Sequence, residues 1–222
     1  MILDRRDLVN GYVFGDVFAV KPVETYPIGR NVFSGSEFAT ISSYIRVTDG
    51  FHTVTVRRTN GQIYYQQTIA FVSGERLTMV ILDTVSGVSL TRVSDMGCTN
   101  VPAGYGCLRV ANMSYAGSSY DVRTFNNQTA FAGVGYKEVT SYKQTSSGTY
   151  TFFVTGSQYA VSALGELPVL VLSSIVGVSC PTCTVANPLL TFNVNVRAGR
   201  AYTCYIIGNP WSGLFRAYVL ED

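Results

Sequence analysis

The stretch "HTVTV" (His52–Val56) alternates with period two. That places His52, Val54 and Val56 on one face of a strand and Thr53 and Thr55 on the other. Turn signals punctuate the chain around it. Gly closes "TDG" (Thr48–Gly50) and "SSG" (Ser146–Gly148), where it can supply a positive φ. Asn60-Gly61 is a strong short hairpin signal. "SGE" (Ser73–Glu75) and "AGR" (Ala198–Arg200) repeat the pattern. Short strands at roughly 8–12-residue spacing predict an all-β chain of sandwich type. One run breaks the alternation: "LPVLVLSSIVGV" (Leu167–Val178) is apolar almost throughout. A strand of that kind is buried on both faces or covered by another chain. It is too short to span a bilayer as a helix.

The chain also repeats itself. "SSYIRVTDGFHTVTV", from Ser42, reads on as "TSYKQTSSGTYTFFV", from Thr140, at an offset of 98 residues. Ser43-Tyr44 falls on Ser141-Tyr142, Gly50 on Gly148 and Thr53 on Thr151. "VSGERLTMVIL" (Val72–Leu82) then falls on "RAGRAYTCYII" (Arg197–Ile207) at an offset of 125, so the second copy carries 27 extra residues. "SGVSLTRVSD" (Ser86–Asp95) matches "SGLFRAYVLED" (Ser212–Asp222) with one further residue of slippage, and both copies end on acidic residues. Such self-similarity sets the organisation. A first repeat spans 1–97, a linker rich in Gly, Pro and Asn spans 98–106, and a second repeat spans 107–222 with an insertion at about 165–188.

Composition narrows the class. Hydrophobic residues are 47% and charged residues only 14%, so a large core forms under a weakly charged surface. Tyr and Phe are abundant, as strands favour. The net charge of +2 is scattered, with Arg5-Arg6 and Arg57-Arg58 its only doublets, which argues against nucleic-acid binding. Lys, a common guard on strand edges, occurs only at Lys21, Lys137 and Lys143. "MILDRRDLVN" holds charges where an export leader would be apolar, so no signal peptide is read there.

"LRVANMSYAGSSYDVRTFNN" (Leu108–Asn127), "SYKQTSSGTYTFFVTGS" and "LLTFNVNVRAGRAYTCYIIGN" (Leu189–Asn209) follow one another in the second copy. This order resembles the domain-of-unknown-function 4397 family, whose members read approximately "LRVVNAS", "VDVYVNG", "Y..V.AGTYTV.V" and "L.AGRAYTVVVVG". The second copy matches nearly throughout, apart from its insertion. The first matches from about Ser42 to Asp95; "GYVFGDVFAVKPVETYPIG" (Gly11–Gly29) is read in the place of the opening motif, without its N-x-S signature. The resemblance implies tandem immunoglobulin-like β-sandwiches, usually bacterial and exported, and implies no activity.

Candidate chemistry is sparse. His52 is the sole histidine, so any Ser-His-Asp or Cys-His scheme must use it. It aligns with Tyr150, which reads as a packed strand position. The five cysteines are Cys98, Cys107, Cys180, Cys183 and Cys204. Cys98 with Cys107, and Cys180 with Cys183, are the disulfide candidates in an oxidising compartment. Cys180-Pro-Thr-Cys183 would otherwise suggest thiol-redox work, or a zinc site if Cys98 and Cys107 joined it. Cys204 aligns with Met79 and reads as a small buried hydrophobe. Two sequons, at Asn112 and Asn127, carry little weight.

The preferred expectation is a non-enzymatic structural subunit of a surface or extracellular assembly, needing no metal and no cofactor and associating with itself. Its interface would use the N-terminal strand at Tyr12, Val13, Phe14, Val17 and Phe18. It would also use the insertion at Val169, Leu170, Val171, Leu172, Ile175 and Val176. The alternative is an adhesive or carbohydrate-binding module with a platform of Tyr64, Tyr65 and Trp211. A thiol-redox or hydrolytic enzyme is the distant third.

Overall fold

The structure, a computed structural model, describes residues 2–4, 15–20, 30–36, 41, 44, 46–58, 63–84, 87–115, 119–157, 188–210 and 214–222. Among them every regular element is a strand. The first seven are β1 (Ile2–Asp4), β2 (Gly15–Val20), β3 (Arg30–Ser36), β4 (Gly50–Arg58), β5 (Ile63–Phe71), β6 (Leu77–Thr84) and β7 (Gly87–Ser94). The remainder are β8 (Tyr105–Asn112), β9 (Tyr120–Thr124), β10 (Thr129–Val134), β11 (Lys143–Ser146), β12 (Gly148–Gly156), β13 (Leu190–Val196), β14 (Ala201–Ile207) and β15 (Arg216–Glu221). They form four sheets, ordered β1-β6-β7, β3-β2-β4-β5, β11-β8-β14-β15 and β10-β9-β12-β13.

The all-β expectation holds, and each repeat is a two-sheet sandwich. In the second repeat Leu108 and Val110 of β8 and Cys204 and Ile206 of β14 meet Val122, Phe152, Val154 and Val194 of the facing sheet. In the first, Val54, Val56 and Ile69 face Ile81, with Val88 and Leu90 against them. The strand order is not the constant-type immunoglobulin one, in which the first and second strands share a sheet. Here β8 and β9 lie in opposite sheets, and β8 runs parallel to β14.

The same order corrects one reading of the first copy. β1 pairs in parallel with β6 as β8 does with β14. β2 pairs with β4 as β9 pairs with β12, bringing Val17 opposite Val56 where Val122 stands opposite Val154. The opening strand is therefore Ile2–Asp4. Asp16-Val17 is the counterpart of Asp121-Val122, so Gly11–Gly29 contains the second strand of the repeat rather than its opening motif. β2 also lies between β3 and β4, so both of its edges are filled within its own sheet. Val17 and Phe18 do not belong to an open edge. Tyr12, Val13 and Phe14 lie outside the described residues, as does the whole insertion segment from Val169 to Val176.

The repeated turns have repeated geometry. Gly74 and Gly199 take φ +78° and +72°, a left-handed conformation that costs other residues strain. Val72 O accepts from Glu75 N and Arg197 O from Arg200 N, at 3.1 and 3.2 Å.

Candidate functional site

β8 and β14 explain how the repeats meet. Each is buried on both faces over nearly its whole length. Alternation along β14 sends Tyr202, Cys204 and Ile206 into the core of the second repeat. Tyr205 and Ile207 point the other way and pack, with Ala111 and Met113, against Val80, Leu82 and Val93 of the first repeat. A continuous apolar layer thus joins the sheet β1-β6-β7 to the sheet β11-β8-β14-β15.

At one end this layer gives way to polar groups. Asp95 Oδ2 accepts from the Tyr44 hydroxyl at 2.7 Å and from Thr78 Oγ1 at 2.8 Å. Asp222 Oδ2 accepts from Tyr142 and, at 2.6 Å, from Thr203 Oγ1. Tyr44, Thr78 and Asp95 are the repeat equivalents of Tyr142, Thr203 and Asp222. Backbone bonds fix the two acids alike: Asp95 N donates to Arg76 O at 2.9 Å, and Asp222 N to Ala201 O at 3.0 Å. The joint is therefore close to isologous, one patch meeting its own copy.

Arg109 lies between the two triads. Its Nη2 donates to Ser94 O at 2.7 Å and to Asp95 Oδ1 at 3.3 Å, and its Nε donates to Thr203 Oγ1 at 2.8 Å. Asp222 is 4.0 Å away, and the guanidinium carbon stands 4.3 Å from the centre of the Tyr142 ring. The three ionic side chains are at most 7% exposed. One cation faces two carboxylates out of water. Burial raises the Asp95 carboxyl above its usual range, against the hydrogen bonds from Tyr44 and Thr78. Burial likewise pushes the Tyr44 phenol up to about 12 and drives Tyr142 and Tyr205 upward.

The linker adds a covalent tie. Cys98 and Cys107 form a disulfide, with Cα atoms 6.1 Å apart, which closes the loop between the repeats as the sequence suggests. The Cys98–Cys107 pair is thereby removed from any zinc set. Cys204 is buried, and burial pushes its thiol up, out of the reactive range. Cys180 and Cys183 lie outside the described residues.

His52 has a structural occupation. It is buried, and its Nε2 is 2.7 Å from Thr48 O, so that nitrogen carries the proton and donates it. Tyr150 OH donates to Ser146 O at 2.8 Å from the equivalent position. The ring meets Phe71 edge-on at 5.5 Å. Tyr64 and Tyr65 lie half-buried against the core of the first repeat, and Trp211 is outside the described residues. Asn112 is buried, donating from Nδ2 to Val134 O and accepting at Oδ1 from Ser114 N; its sequon is a packing element.

Sequence reasoning noted that both copies end on acid but missed Arg109 and the threonines. The available signal was a polar Thr at the same place in two apolar runs, "LTMVIL" and "YTCYII". No group of His, Cys, Asp and Glu among the described residues is arranged to hold a metal ion, and those residues include no helix long and apolar enough to cross a membrane.

No curated protein is similar enough to this chain to count as a match. The family model described as "Domain of unknown function (DUF4397)" matches at residues 13–123 and again at 108–222. Two matches that together run from Val13 to Asp222, over two sandwiches of equivalent strand order, show that the chain belongs to the DUF4397 family and carries its domain in tandem.

Proposed function

We propose that the protein is a non-enzymatic structural subunit of a surface or extracellular assembly, built through β-strand edges and apolar segments. The observation that carries this reading is the joint. The buried cluster of Arg109, Asp95 and Asp222 locks one repeat to the other. A cystine ties the same joint and fits an oxidising location. Such a joint makes the tandem a stiff building unit. Particle size of the native, unreduced protein tests the reading, by negative-stain electron microscopy and light scattering. Multi-subunit particles support it. A uniform monomer of 24.2 kDa defeats it.

A further inference from the structure

Sheet edges differ in how they are protected. β3, one edge of its sheet, carries Arg30, and its pairing with β2 shifts register twice. β7 carries Arg92, β11 carries Lys143, and β15 carries Arg216 and Glu221. Charges and irregular pairing of this kind discourage a second chain from adding to an edge. β5 carries no such charge, and its pairing with β4 is regular from Gly50 to Val56; one register shift, between Val56 and Arg57, leaves Tyr64 out of the ladder. β5 is the other edge of the sheet β3-β2-β4-β5, nine residues long, and reads "IYYQQTIAF", without a charge, a Pro or a Gly. Large apolar side chains stand exposed around it: Ile63 at its start, Val72 just beyond its end and Phe51 on the neighbouring strand. β13 is similarly uncharged, but the long segment 158–187 ahead of it lies outside the described residues, against the four residues 59–62 ahead of β5.

We propose that β5 is a strand-addition surface for β5 of a second copy, paired antiparallel about Gln67. The inference rests on the assembly reading above and names its contact. The sequence of β5 suits its own reverse. Centred on Gln67, the register sets Tyr65 opposite Ile69, Gln66 opposite Thr68, and Gln67 opposite its own copy. Aromatic beside β-branched and amide beside amide are favourable cross-strand pairs, and no like charges meet. The irregularity at Tyr64 takes Ile63 out of this alternation, so the paired segment is Tyr65–Ile69. The arrangement is isologous and closes as a two-fold dimer, merging two four-stranded sheets into one.

The test is the mass of the native protein by sedimentation, for wild type and for Gln67→Lys. In the variant, two like charges face each other at the two-fold. Wild type is expected to contain a species of at least twice 24.2 kDa, lost in Gln67→Lys with an unchanged circular dichroism spectrum. Gln67→Cys keeps the test open should the lysine variant misfold. On mild oxidation it crosslinks to a dimer through residue 67, mapped by mass spectrometry, whereas Thr68→Cys does not. Assemblies that survive Gln67→Lys, or that show no crosslink at 67, overturn the β5 contact and leave the assembly reading standing. A monomeric wild type overturns both.

Discussion

Asp95 and Asp222, the last acidic residues of the two repeats, point at one another across a single guanidinium. Arg109 Nη2 lies 3.3 Å from the first and 4.0 Å from the second. Each acid brings its own tyrosine and threonine, so the joint has two matching halves and one unmatched cation. That asymmetry decides what each substitution does.

Asp95→Ala removes the closer carboxylate and leaves Arg109 buried beside a more distant one. It also leaves the Tyr44, Thr78 and Arg109 donors without their acceptor, at about 1–3 kcal/mol for a buried group left unsatisfied. The expected result is a large fall in melting temperature, with the transitions of the two repeats separating in calorimetry. A loss below about 1 kcal/mol, the value of an exposed pair, would show that the joint is held by its apolar layer alone.

The pH dependence follows from the same residue. The Asp95 carboxyl titrates above its usual range in the folded protein, so the folded state binds that proton more tightly than the unfolded chain. Its ionised form therefore opposes folding at neutral pH. This opposition is relieved as pH falls through the raised value toward the ordinary 3.8. The melting temperature of wild type minus that of Asp95→Asn should rise over that acid window. On the alkaline side, Tyr44 is protonated in the folded state up to about 12, against 10.0 unfolded. Its contribution is complete below 10 and is lost between 10 and 12. Melting curves of Tyr44→Phe should lack that part of the alkaline decline, and identical alkaline limbs would count against the assignment.

His52 performs the task of Tyr150: a ring against the core and a proton given to the carbonyl four residues earlier. His52→Tyr should therefore fold with little loss. His52→Phe keeps the ring but loses the bond to Thr48 O, which lies on an exposed residue, at the net value of one hydrogen bond, about 0.5–1.5 kcal/mol. Chemical denaturation of the three proteins gives the order His and Tyr above Phe. Equal stability of the Tyr and Phe variants would remove the hydrogen bond from the account.

Much of this was readable from the chain, and the exceptions have a common cause. The repeat, the turns at Gly74 and Gly199, the role of His52 and the Cys98–Cys107 bond all depend on local spacing or on one copy compared with the other. The Arg109 joint depends on docking. Its members come from β6, β8, β14 and the ends of both repeats, and nothing local marks "LRVAN" as a place where a buried cation is needed. The place of the strand at Gly15–Val20 is hidden for another reason. Only the dipeptide Asp16-Val17 marks it as the counterpart of Asp121-Val122, and the opening strand, Ile2–Asp4, is three residues long.

Reduction should loosen the linker without exposing Cys204. A disulfide closing so short a loop is worth about 2–3 kcal/mol in the chain-entropy description. Treatment with a reductant and then an alkylating agent should label Cys98, the half-buried partner, in the folded protein and lower its melting temperature, while the buried Cys107 labels far more slowly. Cys204 is fully enclosed and should label only after unfolding, as peptide mapping would show. Rapid labelling of Cys204 under native conditions would mean that the core of the second repeat opens easily.

Gly106 is the tightest point of the joint between linker and second repeat. A Cβ there would stand 2.6 Å from Arg197 O and 2.9 Å from Arg200 O, both backbone atoms of the turn that β8 packs against. That turn is already bonded to β8 on both sides, through Cys107 N to Arg200 O at 2.8 Å and Gly199 N to Tyr105 O at 2.7 Å. The close approach, rather than backbone freedom, is what requires glycine. Gly104, two residues earlier, is the opposite case: its φ is +82° but no atom lies within 4 Å of the added carbon. Gly104→Ala should cost about 1–2 kcal/mol of backbone strain. Gly106→Ala must displace β8 from the turn and should cost at least the upper part of the roughly 1–3 kcal/mol seen on overpacking. Denaturant titration of the two variants settles the order. A Gly106→Ala protein as stable as wild type would mean that the 197–200 turn yields, and that β8 is not held there.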